Sequence, residues 1–279
     1  MPLSLPLRGP EVHALGLPLP PDRLPAWRGG RPLKRWRYVG VYTPELMLCV
    51  GDAKIGPVPQ RWWAIALPDG ELRERTTFGA GGVAIEGSTV RVTAKGVRIE
   101  LQLEESSGME IVSPVNERGA YIWTRKQACV PVSGSVEIDG ARHAIDGDAA
   151  FIDDSAGYHA RHTAWYWSAG VGTTVDGRRV GWNLVDGIHD DPFASERTLW
   201  VDGEPRTVGP VTFAEDLSEI AGDGLDLRFD EWSSREHSTN ALIMRSSYRQ
   251  PFGTFSGQLA ESLQLAEGFG VMEQHDVRW

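Results

Sequence analysis

The chain has 279 residues, 41% hydrophobic and 24% charged, which suits one large or two modest globular domains. A formal net charge of −10 argues against nucleic acid or an anionic membrane surface as partner, since both require a basic face. No stretch approaches the roughly 20 apolar residues that span a bilayer. The N-terminus lacks the basic start and apolar run of a secretory signal, so the expectation is a cytoplasmic protein with no membrane insertion.

Residues 1–35 hold eight of the eighteen prolines and little periodicity. They read as an extended arm lying over the surface, or as partly disordered. From Trp36 onward the pattern is that of strands. Asp-Gly pairs recur at Asp69-Gly70, Asp139-Gly140, Asp176-Gly177 and Asp202-Gly203, each between β-branched or aromatic runs. Such pairs suit type I′ hairpin turns, whose two central residues need positive φ. Val90, Val92 and Ala94 alternate onto one strand face, as do Val97, Ile99, Leu101 and Leu103. Helical periodicity is weak, its best candidate being about two turns around Phe213–Ile220. Cys49 and Cys129 lack metal-site spacing and read as two buried thiols.

The hairpin at Asp176-Gly177 can be read in detail. With those two residues as the turn, Val171 faces Trp182, Ala169 faces Leu184 and Trp167 faces Asp186. One face then carries Trp165, Trp167, Ala169, Val171, Trp182 and Leu184, a core or cavity wall. The other carries Tyr166, Ser168, Gly170, Gly172, Gly181, Asn183 and Val185, small and polar, with glycines that allow close backbone approach. One residue of slip exchanges the faces.

A weak internal repeat divides the chain. Pro131–Val136 is similar to the stretch Phe255–Leu259 that follows Pro251. Each is followed by a second strand and an acidic cluster: Phe151-Ile152-Asp153-Asp154 in one case, Gly270-Val271-Met272-Glu273 and then His275-Asp276 in the other. The expected organisation is an arm over 1–35 and two β halves over 36–160 and 161–279, each long enough for an eight-stranded antiparallel barrel able to hold one small ligand.

Longer motifs resemble a known family. They are Lys34-Arg35-Trp36-Arg37-Tyr38, Asp153-Asp154-Ser155-Ala156-Gly157-Tyr158, Thr163-Ala164-Trp165-Tyr166-Trp167, Val180-Gly181-Trp182-Asn183-Leu184, Gln250-Pro251-Phe252-Gly253-Thr254-Phe255-Ser256-Gly257 and Gly268 through Trp279. In this order they resemble the bacterial family called domain of unknown function 2804. The resemblance implies an all-β fold of two consecutive lipocalin-like, or calycin-like, barrel halves packed together. It also implies distant kinship with the carotenoid 1,2-hydratase group, several of which act on lipophilic substrates without a cofactor. That is a statement about fold more than about activity.

Asp153 and Asp154 are adjacent, so in a strand they point to opposite faces and at most one enters a cavity. An acid among aromatic rings has a raised pKa and can move protons near pH 7; the plainer reading is turn capping or a salt bridge with Arg161. His159 and His162 form an H-x-x-H pair that is open to acid/base, surface and metal readings, with Asp153 or His189 as a further metal ligand. No metal is assigned. The candidate catalytic set is Asp153, Asp154, His159 and His162. The candidate ligand contacts are Trp165, Trp167, Trp182, Asn183, Tyr158 and Arg161. His189, Asp190 and Asp191 read as a solvated loop. Glu273 and His275 repeat the acid-plus-histidine theme in the second half and are open to a structural reading, which is the plainer one, and a catalytic reading, with Arg278 and Trp279 locking the last strand. Phosphate loops, dinucleotide fingerprints, nucleophile elbows and zinc-protease motifs are missing from the sequence.

Three functions remain open. One is a cofactor-independent hydratase, lyase or isomerase acting on a lipophilic small molecule in a barrel cavity. The second is a non-catalytic binder or carrier of such a molecule. The third is a scaffold whose barrels are filled by side chains.

Overall fold

The structure is a computed structural model and describes residues 5–79, 81–192, 194–241 and 244–278. Trp279 therefore lies outside the described residues. The arm contains β1 (Leu7–Arg8), a 3-10 helix (Gly9–Leu15), β2 (Trp27–Arg28) and β3 (Arg31–Pro32). There follow β4 (Lys34–Tyr42), β5 (Met47–Ile55), β6 (Val58–Ala66), β7 (Leu72–Thr77), β8 (Val83–Glu86), β9 (Thr89–Ala94), β10 (Val97–Leu103), β11 (Met109–Pro114), β12 (Tyr121–Ile138) and β13 (Ala141–Gly157). The rest of the chain forms β14 (His162–Thr174), β15 (Arg179–Asp186), β16 (Thr198–Val201), β17 (Glu204–Thr207), β18 (Val211–Phe213), β19 (Glu219–Gly222), β20 (Leu225–Ala241), β21 (Met244–Ala260) and β22 (Leu263–Arg278).

These strands build two large curled antiparallel sheets with the same topology. The first runs β7-β6-β5-β4-β13-β12-β10-β9-β8, and the second β17-β16-β15-β14-β22-β21-β20-β19-β18. Each ends its chain segment on a long hairpin, β12–β13 or β21–β22, placed at the centre of its sheet. Hence the repeat seen in sequence. β4 and β14 flank the hairpins in equivalent places, and Asp153 and Glu273 occupy equivalent positions on β13 and β22.

Each sheet curls around its own apolar core. The first core gathers Val39, Val41, Val50, Ile65, Val90, Val92, Ile99, Leu101 and Ile152. The second gathers Trp182, Leu184, Leu199, Ile220, Leu227, Phe255 and Met272. A third cluster joins the sheets: Tyr38, Tyr42, Phe151, Trp167, Trp200 and Phe252 among others. Trp167 packs edge-on against both Tyr38 and Phe151, with ring centroids 5.6 and 5.8 Å apart. The central strands are thus buried on both faces, one toward their own core and one toward the other half.

The turns divide into two kinds. Asp139-Gly140 and Asp202-Gly203 are two-residue turns with both φ values positive, as expected for type I′. At Asp176-Gly177 only Gly177 is left-handed. The Gly177 amide donates to the Thr174 carbonyl, giving a three-residue loop of Val175, Asp176 and Gly177. This shifts the register by one. Trp167 pairs with Val185, Ala169 with Asn183 and Gly170 with Trp182. The face assigned to β14 stands, while β15 is turned over: Trp182 joins the second core and Asn183 and Val185 face the other half. Gly170 is required here, because a Cβ on it would lie 2.1 Å from the Trp182 ring. Gly181 lets β15 approach β12, since its Cβ would meet that of Ala128 at 2.5 Å.

One other expectation changes. Phe213–Ile220 is not helical; it is the turn region between β18 and β19. Of the two readings of the arm, its described residues take the first, lying over the surface of the first half. β1 pairs with β11, and Val12, Leu19 and Leu24 cover Val112, Tyr121, Trp123 and Tyr158. Cys49 is buried and Cys129 half-buried, and both are free thiols. No helix among the described residues is long and apolar enough to cross a membrane.

Candidate functional site between the two halves

A cavity of about 660 Å³ lies between the halves. The barrel interiors are filled by the two cores, so the expected ligand space is displaced to their seam. Its wall is set by strand alternation. On β4, Lys34, Trp36 and Tyr38 point inward together. Lys126 on β12 and Asp153 on β13 face them, and Trp165 and Trp167 on β14, with Glu273 and His275 on β22, close the opposite side. Tyr248, Arg235, His189 and Glu196 add to the polar lining.

Asp153 and Asp154 separate as alternation demands. Asp153 faces the cavity, with its Oδ1 2.6 Å from Lys126 Nζ. Lys126 also lies 3.5 Å from Glu196, whose other oxygen accepts from the Thr124 hydroxyl at 3.0 Å. Burial pushes the Asp153 carboxyl up, opposed by the Lys126 ammonium and reinforced by Glu196. Burial acts to lower Lys126, and Asp153 and Glu196 outweigh it, so its pKa is raised. Asp154 turns to the other face. It accepts from Arg37 at 2.9 Å and from Arg125 at 2.6 Å, and Glu105 bridges the same two arginines. Arg161, the partner expected from sequence, is exposed instead.

The counterpart of Asp153 in the second half is Glu273, whose carboxyl also lines the cavity. Its oxygens accept from Trp165 Nε1 at 2.8 Å and from Gln250 Nε2 at 3.0 Å. Burial pushes it up to about 7, with hydrogen bonds from Trp165 and Tyr248 opposing and the Asp153 charge assisting. Gln250 holds Glu273 as Lys126 holds Asp153, at matching places in the repeat. Arg235 is buried beside them and donates to Glu74 at 2.9 Å. His275 bonds the Ser246 hydroxyl at 2.9 Å, and burial lowers its pKa to about 4.

The two histidines of the H-x-x-H pair part company. His159 is buried in the cavity wall, its ring 4.9 Å from that of Trp36. His162 is exposed and bonds Asp276 at 2.9 Å. They do not converge on one point, and among the described residues no group of three or more His, Cys, Asp or Glu side chains is placed to hold a metal ion. Trp165 and Trp167 line the cavity. Asn183 lies behind the wall: it accepts from Trp167 Nε1 at 2.8 Å and donates to the Glu196 carbonyl at 2.9 Å, fixing both. Trp182 is in the second core, bonded to the Ser168 hydroxyl at 3.1 Å. Tyr158 sits under the arm and donates to the Pro25 carbonyl at 2.7 Å.

Sequence reasoning passed over Lys126, Glu196, Arg235 and Tyr248 and set His189 and Glu273 aside. One signal was available. The chain has four lysines, at 34, 54, 95 and 126, against an abundance of arginine. Lysine is almost never fully buried without a reason, and Lys126 lies between the apolar runs Tyr121–Trp123 and Ala128–Val132 of one strand.

An all-β protein of two curled, topologically repeated sheets is the class this architecture defines, and lipocalin-like relatives share it. The chain belongs to the family described as domain of unknown function (DUF2804), whose profile matches residues 64–279. No curated protein matches the sequence. Among solved structures, it is similar to a protein assigned as AttH from Nitrosomonas europaea, at 13% identity and a TM-score of 0.55, covering 92% of this chain and 97% of that one. It is similar also to kievitone hydratase from Nectria haematococca, at 14% identity and a TM-score of 0.55, covering 86% and 88%. At these identities the likeness is one of fold.

Proposed function

We propose that the seam cavity is the active site of a cofactor-independent enzyme of the hydratase, lyase or isomerase type, acting on a small molecule with an apolar body. The observation that carries this reading is the pair of buried carboxyls, Asp153 and Glu273, brought into one aromatic-walled cavity from equivalent positions of the two halves. Burial of two such groups is costly in a simple container, and proton transfer needs groups poised near the working pH.

In this reading Glu273, raised to about 7 and so holding a proton, gives that proton to a substrate carbon. Asp153, positioned by Lys126, accepts the proton released by water or by a neighbouring carbon. The reverse reaction exchanges the roles. Trp36, Trp165 and Trp167 exclude water and hold the apolar body. The fold shared with a protein named as a hydratase is consistent with this chemistry.

The test is deuterium incorporation. The purified protein is incubated in D2O with a small-molecule extract of its source cells and followed by mass spectrometry. Wild type places deuterium on carbon in at least one compound, and Glu273→Gln and Asp153→Asn do not. Stoichiometric uptake of a compound with no exchange in wild type would overturn the catalytic reading and leave a carrier.

A further inference from the structure

The cavity has a second polar end that the proton-transfer scheme leaves unused. Lys34 and Tyr38 are four residues apart on β4, and Tyr38 pairs with Asp153. At roughly 3.3 Å per residue, Lys34 therefore stands about 13 Å along the strand from the carboxyl. Around it lie Trp36, His159 and His189, all in the cavity wall. His159 is almost completely buried, and its Nε2 has no hydrogen-bond partner. A buried ring nitrogen left in this way calls for a partner that arrives from outside.

The charged groups that act on His159 are Lys34 and His189, both basic. Burial first, and then these two, holds His159 well below the usual imidazole range. Burial and the neighbouring Arg31 bring Lys34 down to about 6. His189 is lowered by burial and by Lys126, with Glu196 and Asp190 opposing. It is also held at a φ of 51°, in the left-handed region, while its Nδ1 bonds the Ser113 hydroxyl at 2.9 Å. Strained non-glycine backbone of this kind concentrates at ligand clamps.

We propose that Lys34, His159 and His189 form the binding site for an anionic head, carboxylate-like in charge, of an elongated small molecule whose apolar body runs along Trp36 and Trp165 toward Glu273. This rests on the reading of the seam cavity as a ligand site and names the class of ligand. The head gains charge-assisted hydrogen bonds in a water-poor setting. Its negative charge favours protonation of the three basic groups, so above pH 6 binding takes up a proton and weakens as pH rises.

The test uses two dyes with the same aromatic body, anilinonaphthalene sulfonate and the uncharged phenylnaphthylamine, titrated by fluorescence into the full chain at pH 6 and pH 8. The sulfonate binds about tenfold or more tightly than the neutral dye at pH 6, and the preference shrinks by up to about tenfold per pH unit for each proton taken up. Lys34→Met and His159→Gln each lose that preference while keeping affinity for the neutral dye, which also shows that they are folded. Glu273→Gln keeps the preference, so a failure of the proton-transfer reading is seen separately in the deuterium assay. Equal affinity for the two dyes, no sulfonate binding at pH 6, or unchanged sulfonate affinity in both variants overturns the proposal.

Discussion

Replacing Glu273 by glutamine tests the electrostatics of the cavity without knowledge of any substrate. Glu273 is raised by burial from an ordinary 4.5 to about 7. In the unfolded chain it loses its proton near 4.5, while the folded chain keeps it until about 7. Between those values the folded state binds more protons, so stability falls as pH rises through the window. The loss is about 1.4 kcal/mol per unit over about two and a half units, or roughly 3 kcal/mol at pH 8. Glutamine cannot ionise and removes that penalty. Its single amide oxygen can accept from only one of the donors Trp165 Nε1 and Gln250 Nε2, and its NH2 faces the other, a mismatch of about 1 kcal/mol or more at every pH. Glu273→Gln is therefore less stable than wild type near pH 4.5 and more stable by about 2 kcal/mol at pH 8. Urea unfolding of both proteins at half-unit pH steps reads this directly. Stability curves that run parallel from pH 4.5 to 8 would refute the burial argument, whatever their offset.

The other predictions concern different parts of the same seam. Lys126→Met leaves Asp153 and Glu196 buried without their cation and costs about 3–5 kcal/mol in denaturant unfolding at pH 7; adding Asp153→Asn to it recovers part of that loss. Asp154→Asn weakens the Arg37–Glu105–Arg125 network. It lowers stability by about 1–3 kcal/mol and leaves dye binding in the cavity unchanged by fluorescence titration. Gly181→Leu drives a side chain into Ala128 and Cys129. It is expected to lower stability by at least about 1–3 kcal/mol and to loosen the seam, seen as faster amide exchange in β12 and β15.

Much of the fold could be read from particular residues. The alternation of Val90 and Val92 against Ile99 and Leu101 matches their pairing and burial. The acidic clusters after the repeat mark the paired central hairpins, and alternation was enough to set Asp153 and Asp154 on opposite faces. The hairpin at Asp176 was misread because Asp-Gly serves both two-residue and three-residue loops, and only Gly177 takes positive φ. One residue in the loop turned β15 over and moved Trp182 away from Trp167. The location of the cavity was not legible for a different reason. Strands such as β13 are buried on both sides, so Phe151, Ile152 and Asp153 read as one apolar run ending in an acid. Which side faces a core and which faces the other half depends on contacts more than a hundred residues away in sequence.

The filling of both barrel interiors bears on engineering. In many enzymes the residues that stabilise the fold crowd the active site, and gains in one erode the other. Here the inward faces of β9, β10 and β19 belong to packed cores with no cavity-lining side chain on them. Substitutions that tighten those rows can raise thermal tolerance while the lining of the seam cavity stays as it is, which makes this chain a scaffold in which robustness and the shape of the cavity are adjustable separately.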